Sequence, residues 1–405
     1  MILVLLSPRQ RGLDLTDVAG CAVVTGGPVP SGAGSVTVVG EYTTEAVVAA
    51  GLEVARRNPI SRVVSFAEAD VLAAARLRDL LDLPGQRGPS AAAYRDKALM
   101  REHLADAGLP GPHWQRVETA AEVRGFASRF ALPLVVKPRW SSGSVGVRLL
   151  HTESDLAGLP ATLPGHLAEQ FVPGDVVHVD GLVVDGRRVF ALPAAYTELG
   201  CLAHLQDSGS GSHLLAGDHP WRAALCEELW QVVDALPSAG SLLLHAEFFV
   251  AEGRRPVLCE IASRLPGHPI PPMLDRALNC DLRRTWLRVA AGLPVDVDAI
   301  SRAAQAALPV ANYGLPPRRG RLVELPSGPP EGTEDWLHDL DVLARPGQFW
   351  DEADYESRKS GDFVLSWTVT APDERKLRDR LRLSADLLQA RTVWQAEQSE
   401  AACDR

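Results

Sequence analysis

Apolar residues open this chain in short runs. Ile2 to Leu6, Val36 to Val39 and Arg62 to Phe66 are strand-length apolar segments, while Thr44 to Arg57 and Ala69 to Leu81 carry apolar residues at helical spacing. Strands alternating with helices predict a small parallel α/β unit. The Pro- and Gly-rich stretch Leu83 to Ser90 reads as the linker that closes it. Asp96 is placed to cap a helix over Lys97 to Ala107, with Gly108 and a proline-rich turn as its stop signal. A strand-loop-strand region follows up to Val172. From Val176 the pattern becomes antiparallel: Asp185-Gly186, between VHVDGLVV and RRVFALP, is a type I′ hairpin signal. A second hairpin joins LLLHAEFFV to the run ending in LCEIASR, and Gly253-Arg254 suits a two-residue type II′ turn. Between the hairpins, Asp207 to His213 (DSGSGSH) reads as a flexible polar loop, followed by a helix around Trp221 to Leu236. Beyond Pro294 the composition shifts to Pro and Gly clusters, Pro316 to Gly320 and Pro326 to Gly332, and a final helix from Pro372 to about Gln395. The expected architecture is α/β and α+β, multidomain, with segments at 1–90, 91–175, 176–300 and 301–405.

Composition narrows the function classes. The 405 residues hold ample core, and a hydrophobic share of 46% is that of a globular protein. A formal charge of -10 argues against a broad nucleic-acid footprint while leaving room for a local basic pocket. Six cysteines (Cys21, Cys201, Cys226, Cys259, Cys280, Cys403) form no CxxC pair, so neither a zinc site nor a disulfide framework is expected. The opening MILVLLSP is too short to span a membrane and has no basic stretch before it, so it reads as a first strand and the chain as cytoplasmic.

The candidate chemistry begins with two carboxylates. Pairing the second hairpin about Gly253-Arg254 sets Glu247 opposite Glu260. Like charges directly across a sheet repel. A divalent cation turns that repulsion into shared coordination, and hard oxygen ligands suit magnesium; the plain alternative is a solvated sheet face. A register slip of one residue puts the two carboxylates on opposite faces. Upstream, LPLVVKPRWSSGSVGV runs from a strand through Lys137 into a loop of Ser141, Ser142, Gly143, Ser144 and Gly146. Small residues let backbone N–H groups approach phosphate oxygens, although a plain Gly/Ser hairpin has the same composition. Lys137, near the end of an apolar strand, either meets an anion or snorkels to solvent. Lys97, one turn into its helix, is a second cation. Together these are the parts needed to bind a nucleoside triphosphate and stabilise its transferred phosphoryl group.

In this order the motifs resemble the ATP-grasp superfamily, close in pattern to biotin carboxylase and to amino-acid ligases. The anchors are AYRDKALMREHLADAGLPGP, LPLVVKPRWSSGSVGV, LAEQFVPGDVVHVDGLV and the pair HAEFFV and LCEIASRLPGH ending at His268. The resemblance runs from the first strand to about Pro294 and more faintly beyond. It implies a pre-ATP-grasp α/β domain, a central lid subdomain and an antiparallel ATP-grasp subdomain. It gives Lys97 and Lys137 the nucleotide phosphates and makes Ser141 to Gly146 the loop that closes over them. Glu169, Gln170, Phe171 and Val172 become the adenine hinge, with backbone groups of Gln170 and Val172 reading the base. Glu247 and Glu260 become magnesium ligands, and Arg264 steadies the transferred phosphate with its bidentate fork. Two positions depart from the pattern: Ala262 stands where many relatives carry a second metal-binding Asn, and Val176 where they carry a ribose-binding acid, with Asp175 adjacent.

The implied cofactors are ATP and one or two magnesium ions, for which manganese substitutes. The implied reaction activates a carboxylate as an acyl-phosphate, which an amine then attacks. Substrates are expected near Arg264, Gly267 and His268 under a loop at Ser208 to His213, with His268 orienting a carboxylate or accepting a proton. The partners are small carboxylates and amines, with a peptide or carrier-protein thiol as alternative acceptor, and a homodimer is expected through the N-terminal unit. Two further readings are bicarbonate as the activated acid and a nucleotide-binding module without turnover. A nicotinamide dehydrogenase is disfavoured because no GxGxxG follows the first strand.

Overall fold

The computed structural model describes residues 1–10, 12–197, 209–351 and 362–395. The chain forms two compact units. The first comprises Met1–Pro193, Ala223–Pro266 and Leu278–Gln305; the second comprises Ala194–Arg222, Gly267–Ala277 and Ala306–Arg405.

The first unit opens with β1 (Ile2–Leu6), β2 (Ala22–Thr25), β3 (Ser35–Val38) and β4 (Arg62–Val64), all parallel in the order β3-β2-β1-β4. β2 was not among the expected strands: it lies between Gly20 and the Gly- and Pro-rich stretch from Gly26 to Gly34, which reads as loop, yet all four of its residues are buried. Leu3, Leu5, Val24 and Val63 pack with Val47 and Val48 of α1 (Thr44–Arg57) and Leu77 of α2 (Val71–Leu80). The expected linker is partly helical, because Pro89 starts α3 (Gly88–Ala93) where its missing N–H is not needed. The expected cap is present: α4 (Lys97–Asp106) begins at Asp96, whose side chain accepts from the Ala98 N–H at 2.9 Å.

An antiparallel sheet follows, built of β5 (Trp114–Thr119), β6 (Leu134–Pro138), β7 (Arg148–Leu150) and β8 (Thr162–Gln170) in the order β5-β8-β6-β7. Its core of Val117, Leu134 and Val136 is backed by Val123 and Phe126 of the helix Ala120–Phe130. Next come β9 (Asp175–Val184), β10 (Arg187–Tyr196), β11 (Ser210–Leu214, in the second unit), β12 (Leu242–Val250) and β13 (Val257–Ala262). Within the first unit their order is β13-β12-β9-β10. The Asp185-Gly186 turn has φ of +49° and +80°, as a type I′ turn requires.

The second hairpin corrects the sequence reading. Its connection is not a two-residue turn but the longer segment Ala251 to Pro256, with the Arg254 N–H donated to the Ala251 carbonyl at 3.1 Å. Near this loop Phe248 pairs with Leu258, yet Glu247 still pairs with Glu260, because Cys259 is an extra residue in a β-bulge. Without the bulge Glu247 would face Cys259, and Glu260 would turn to the other side of the sheet.

The second unit carries β11, β14 (Val310–Leu315), β15 (Gly320–Glu324), β16 (Leu337–Val342), β17 (Phe349–Trp350), β18 (Leu365–Thr370) and β19 (Val393–Gln395). Ala194–Tyr196, the end of β10, pair with β11, and the order continues β14-β18-β16; β17-β15-β19 form a separate sheet. Leu377, Leu381 and Leu388 of the helix Glu374–Ala390 pack with Trp367 and Val369. This final helix stops short of Gln395, which lies in β19. The expected polar loop is also corrected: Ser210–Leu214 is strand, while Asp207 and Ser208 lie outside the described residues. The small residues there serve close packing, since a Cβ on Gly211 would stand 2.4 Å from the Asn312 carbonyl oxygen. Among the described residues, no helix is long and apolar enough to cross a membrane. Among the described residues, Cys21, Cys226, Cys259 and Cys280 are not joined in disulfides.

Candidate active site

The site is built on one face of the β13-β12-β9 sheet. Glu247, in the middle strand, lies directly across from Glu260 on one side and from His178 on the other. Glu247 is buried, and the Glu260 side chain is 31% exposed. Lys97, at the first turn of α4, brings its Nζ to 2.9 Å from Glu260 Oε2 and donates to the Ser141 carbonyl at 2.7 Å. The start of α4 is fixed to the β6-β7 connection, because the Lys97 N–H is donated to the Arg139 carbonyl at 3.1 Å and Arg139 pairs with Asp96. Burial pushes the Glu260 carboxyl up, but the charges of Lys97, Lys137 and Arg264 outweigh it and hold it at about 2. Two hard carboxylates on one rigid sheet face, one of them held ionised, fit a magnesium-type dication.

A second layer of charge locks this geometry. Lys137, at the end of β6, is buried, and the anion it meets is a side chain: Glu169 of β8, 2.6 Å away. Arg101 of α4 pairs with the same carboxylate at 2.7 Å. The other arms of Arg101 donate to the carbonyls of Leu258 (2.9 Å) and Cys259 (2.8 Å), so this guanidinium grips the bulge that keeps Glu260 in register. Glu169, assigned by resemblance to the adenine hinge, therefore has its side chain committed to the charge layer. Burial raises its carboxyl, but Arg101 and Lys137 prevail and hold it at about 2. Lys137 keeps its proton more firmly than an ordinary lysine: burial works against the charge, and Glu169 outweighs it.

The third group centres on Glu68, after β4. It accepts from Arg264 Nε and from Arg95, each at 2.6 Å. Arg264 also donates to the Leu265 carbonyl at 3.0 Å. Burial would raise the Glu68 carboxyl, but Arg264 and Arg95 lower it, against the repulsion of Glu260. Neither Glu68 nor Arg101 was singled out from sequence. Glu68 sits in a short turn without a motif, and Arg101 looks like any helix-surface arginine until β13 is placed against it.

The Ser141 to Gly146 loop joins β6 to β7. Gly143, Ser144 and Gly146 have φ of +61°, +58° and +77°, and a Cβ on Gly146 would stand 2.8 Å from Pro138 Cγ. In the hinge segment the Gln170 N–H is donated to the His113 carbonyl at 2.9 Å, so that group is not offered to a base, contrary to expectation. The Phe171 N–H is donated to the Pro133 carbonyl at 3.2 Å. Val172 follows outside the strand. Gly174 has φ of +145°, and a Cβ there would meet the Val250 carbonyl oxygen at 2.4 Å. Gly174→Ala is therefore expected to destabilise the chain by about 2 kcal/mol or more, read as a lowered urea midpoint. Asp175, which opens β9, is exposed, and Val176 turns to the opposite face of the strand.

Ala262 lies across from His245 and offers no carboxamide. His268 belongs to the second unit, where its Nε2 lies 2.7 Å from Ser366 Oγ beside Gly267. His213, also in that unit, is buried 3.5 Å from Glu374. Burial and Arg378 pull its pKa down to about 4 against the pull of Glu374, so it is neutral at pH 7.

The depressed carboxyls set an acid limit. Glu169 and Glu260 titrate at about 2 when folded against 4.5 as free groups. Their contribution to stability is fully present above about 4.5 and is lost as pH falls through about 2. Stability measured by urea unfolding is expected to fall steeply across that window, and Glu169→Gln should flatten the slope.

No family model matches the chain. It is 23% identical over 334 residues to an L-arginine-specific L-amino acid ligase of Bacillus subtilis, covering 78% of this chain and 76% of that protein. The crystal structure of an L-amino acid ligase from Bacillus licheniformis superposes with a TM-score of 0.73 at 15% identity, over 98% of this chain and 99% of the other. N5-carboxyaminoimidazole ribonucleotide synthetase from Thermotoga maritima gives 0.67 at 16% identity over the same shares. The fold and the strand order around Glu247 and Glu260 agree with these likenesses: the chain has the fold of the ATP-grasp ligases it superposes on.

Proposed function

We propose that the chain is an ADP-forming ligase that activates a carboxylate with ATP and joins it to an amine. The observation that carries this reading is the single sheet face on which Glu247 stands across from Glu260 while Glu260 meets the ammonium of Lys97, with the charges of Lys137 and Arg264 acting on Glu260 as well. Similarity to an L-amino acid ligase favours amino acids as the two substrates.

Glu247 and Glu260 would hold magnesium, which when bound neutralises phosphoryl oxygens that otherwise repel an incoming carboxylate. Lys97 and Lys137 hold the triphosphate, and the Ser141 to Gly146 loop covers it. A substrate carboxylate oxygen attacks the γ-phosphorus as the bond to the β-phosphate oxygen breaks, giving an acyl-phosphate and ADP. The fork of Arg264 holds the transferred group in place. An amine then attacks the acyl carbon, phosphate leaves with the bonding electrons, and the amine gives up a proton, for which His268 is the proposed acceptor. In this reading residues 91–175 supply the lid and 176–300 the metal and phosphate site.

The test is ADP and phosphate release with magnesium against amino acids and simple carboxylic acids, singly and in pairs. Release that requires one acid and one amine together is expected. ATP binding without release from any pair would leave a nucleotide-binding module instead.

A further inference from the structure

A second set of metal-competent side chains lies on the same sheet face, none of which the ligase reading uses. Asp180 stands across from His245 between β9 and β12, in the row next to the His178 and Glu247 pair. Asp180 Oδ2 lies 2.8 Å from His178 Nδ1, and its Oδ1 lies 2.8 Å from His245 Nδ1. The two rings are 5.4 Å apart, and one ligand atom from each residue falls within 4.8 Å of the others. His178 and Asp180 are fully buried, and His245 is 8% exposed.

We propose that His178, Asp180 and His245 bind one transition-metal dication of the zinc, cobalt or manganese class, distinct from the magnesium expected at Glu247 and Glu260. Imidazole nitrogens favour such ions over magnesium, which prefers oxygen and retains water. Two His and one carboxylate are a recurrent three-ligand set with one position left over. Bonds of about 2 Å to a tetrahedral ion put its donors about 3.3 Å apart. The two carboxylate–imidazole separations of 2.8 Å are shorter than that and all three donors lie within 4.8 Å of one another, so side-chain rotations that open the hydrogen bonds admit the ion. The backbone does not need to move, because β9 and β12 are paired along their lengths. An ionised carboxylate this deep needs a compensating positive charge. A dication provides it, and so does a proton shared with the imidazoles; these are the two states to separate.

The experiment is metal binding, so its outcome does not depend on ligase activity. The full chain is stripped with chelator and titrated with Co²⁺, followed by visible ligand-field absorption, with Zn²⁺ as competitor and elemental analysis for stoichiometry. One equivalent of Co²⁺ with the absorption of a low-coordinate site, displaced by Zn²⁺, is expected. Asp180→Asn and His245→Gln should each weaken uptake by at least about tenfold, while Glu247→Gln leaves it in place. Folded wild-type protein that takes up no stoichiometric Co²⁺ overturns the proposal and leaves a proton-bridged His-Asp-His network. Uptake unchanged in a folded Asp180→Asn variant overturns it equally.

Discussion

Glu260→Gln should abolish magnesium-dependent ADP formation, with kcat falling by at least about a thousandfold, while the protein remains folded. The substitution keeps the shape and removes the charge. Glu260 is the carboxylate on which Lys97, Lys137 and Arg264 all act, and it faces Glu247 directly. Losing it halves the hard donor set and leaves the three cations to be balanced by other groups. The stability lost with the Glu260 charge should still leave the protein folded at neutral pH, because the side chain is 31% exposed and Lys97 keeps the Ser141 carbonyl. Turnover is measured as coupled ADP release at saturating magnesium, with circular dichroism and ATP-dependent thermal shift as controls. Near-normal turnover would remove the Glu247/Glu260 face from the mechanism.

Arg101→Met carries the largest expected effect on stability, a loss of about 3–5 kcal/mol. Arg101 is 3% exposed, pairs with the buried Glu169 and satisfies two carbonyls of β13. Methionine fills much of the volume but leaves Glu169 with Lys137 alone and two carbonyls without a donor. Urea unfolding measures the loss. A change below about 1 kcal/mol would mean that water or side-chain rearrangement replaces the arginine. Because the same guanidinium grips the bulge, activity is expected to fall even at temperatures where the variant is folded.

Much of the fold was legible in the sequence. α1 occupies Thr44–Arg57 as the apolar spacing indicated, Asp96 caps α4, and Asp185-Gly186 forms its turn. Each of these is a local signal. β2 was missed because it runs into a Gly- and Pro-rich stretch that reads as loop, and β11 because glycine and serine suggest a loop when they answer to a neighbouring strand. The Glu247/Glu260 pairing came out as expected although the turn behind it did not: two local deviations, a longer connection and a bulge, cancel. Glu68 and Arg101 gave no sequence signal, since their roles depend on partners far along the chain, Arg264 in one case and the β13 carbonyls in the other.

The bulge at Cys259 has a consequence for how this hairpin tolerates change. Strand phase is fixed by an extra residue inside the strand and by the arginine holding its carbonyls, so the length of the connecting tip does not decide which way Glu260 points. The exposed tip at Glu252 and Gly253 is thus a natural place for inserted or deleted residues, whether brought by evolution or by a peptide tag, and the chemistry on the sheet face is insulated from what happens there.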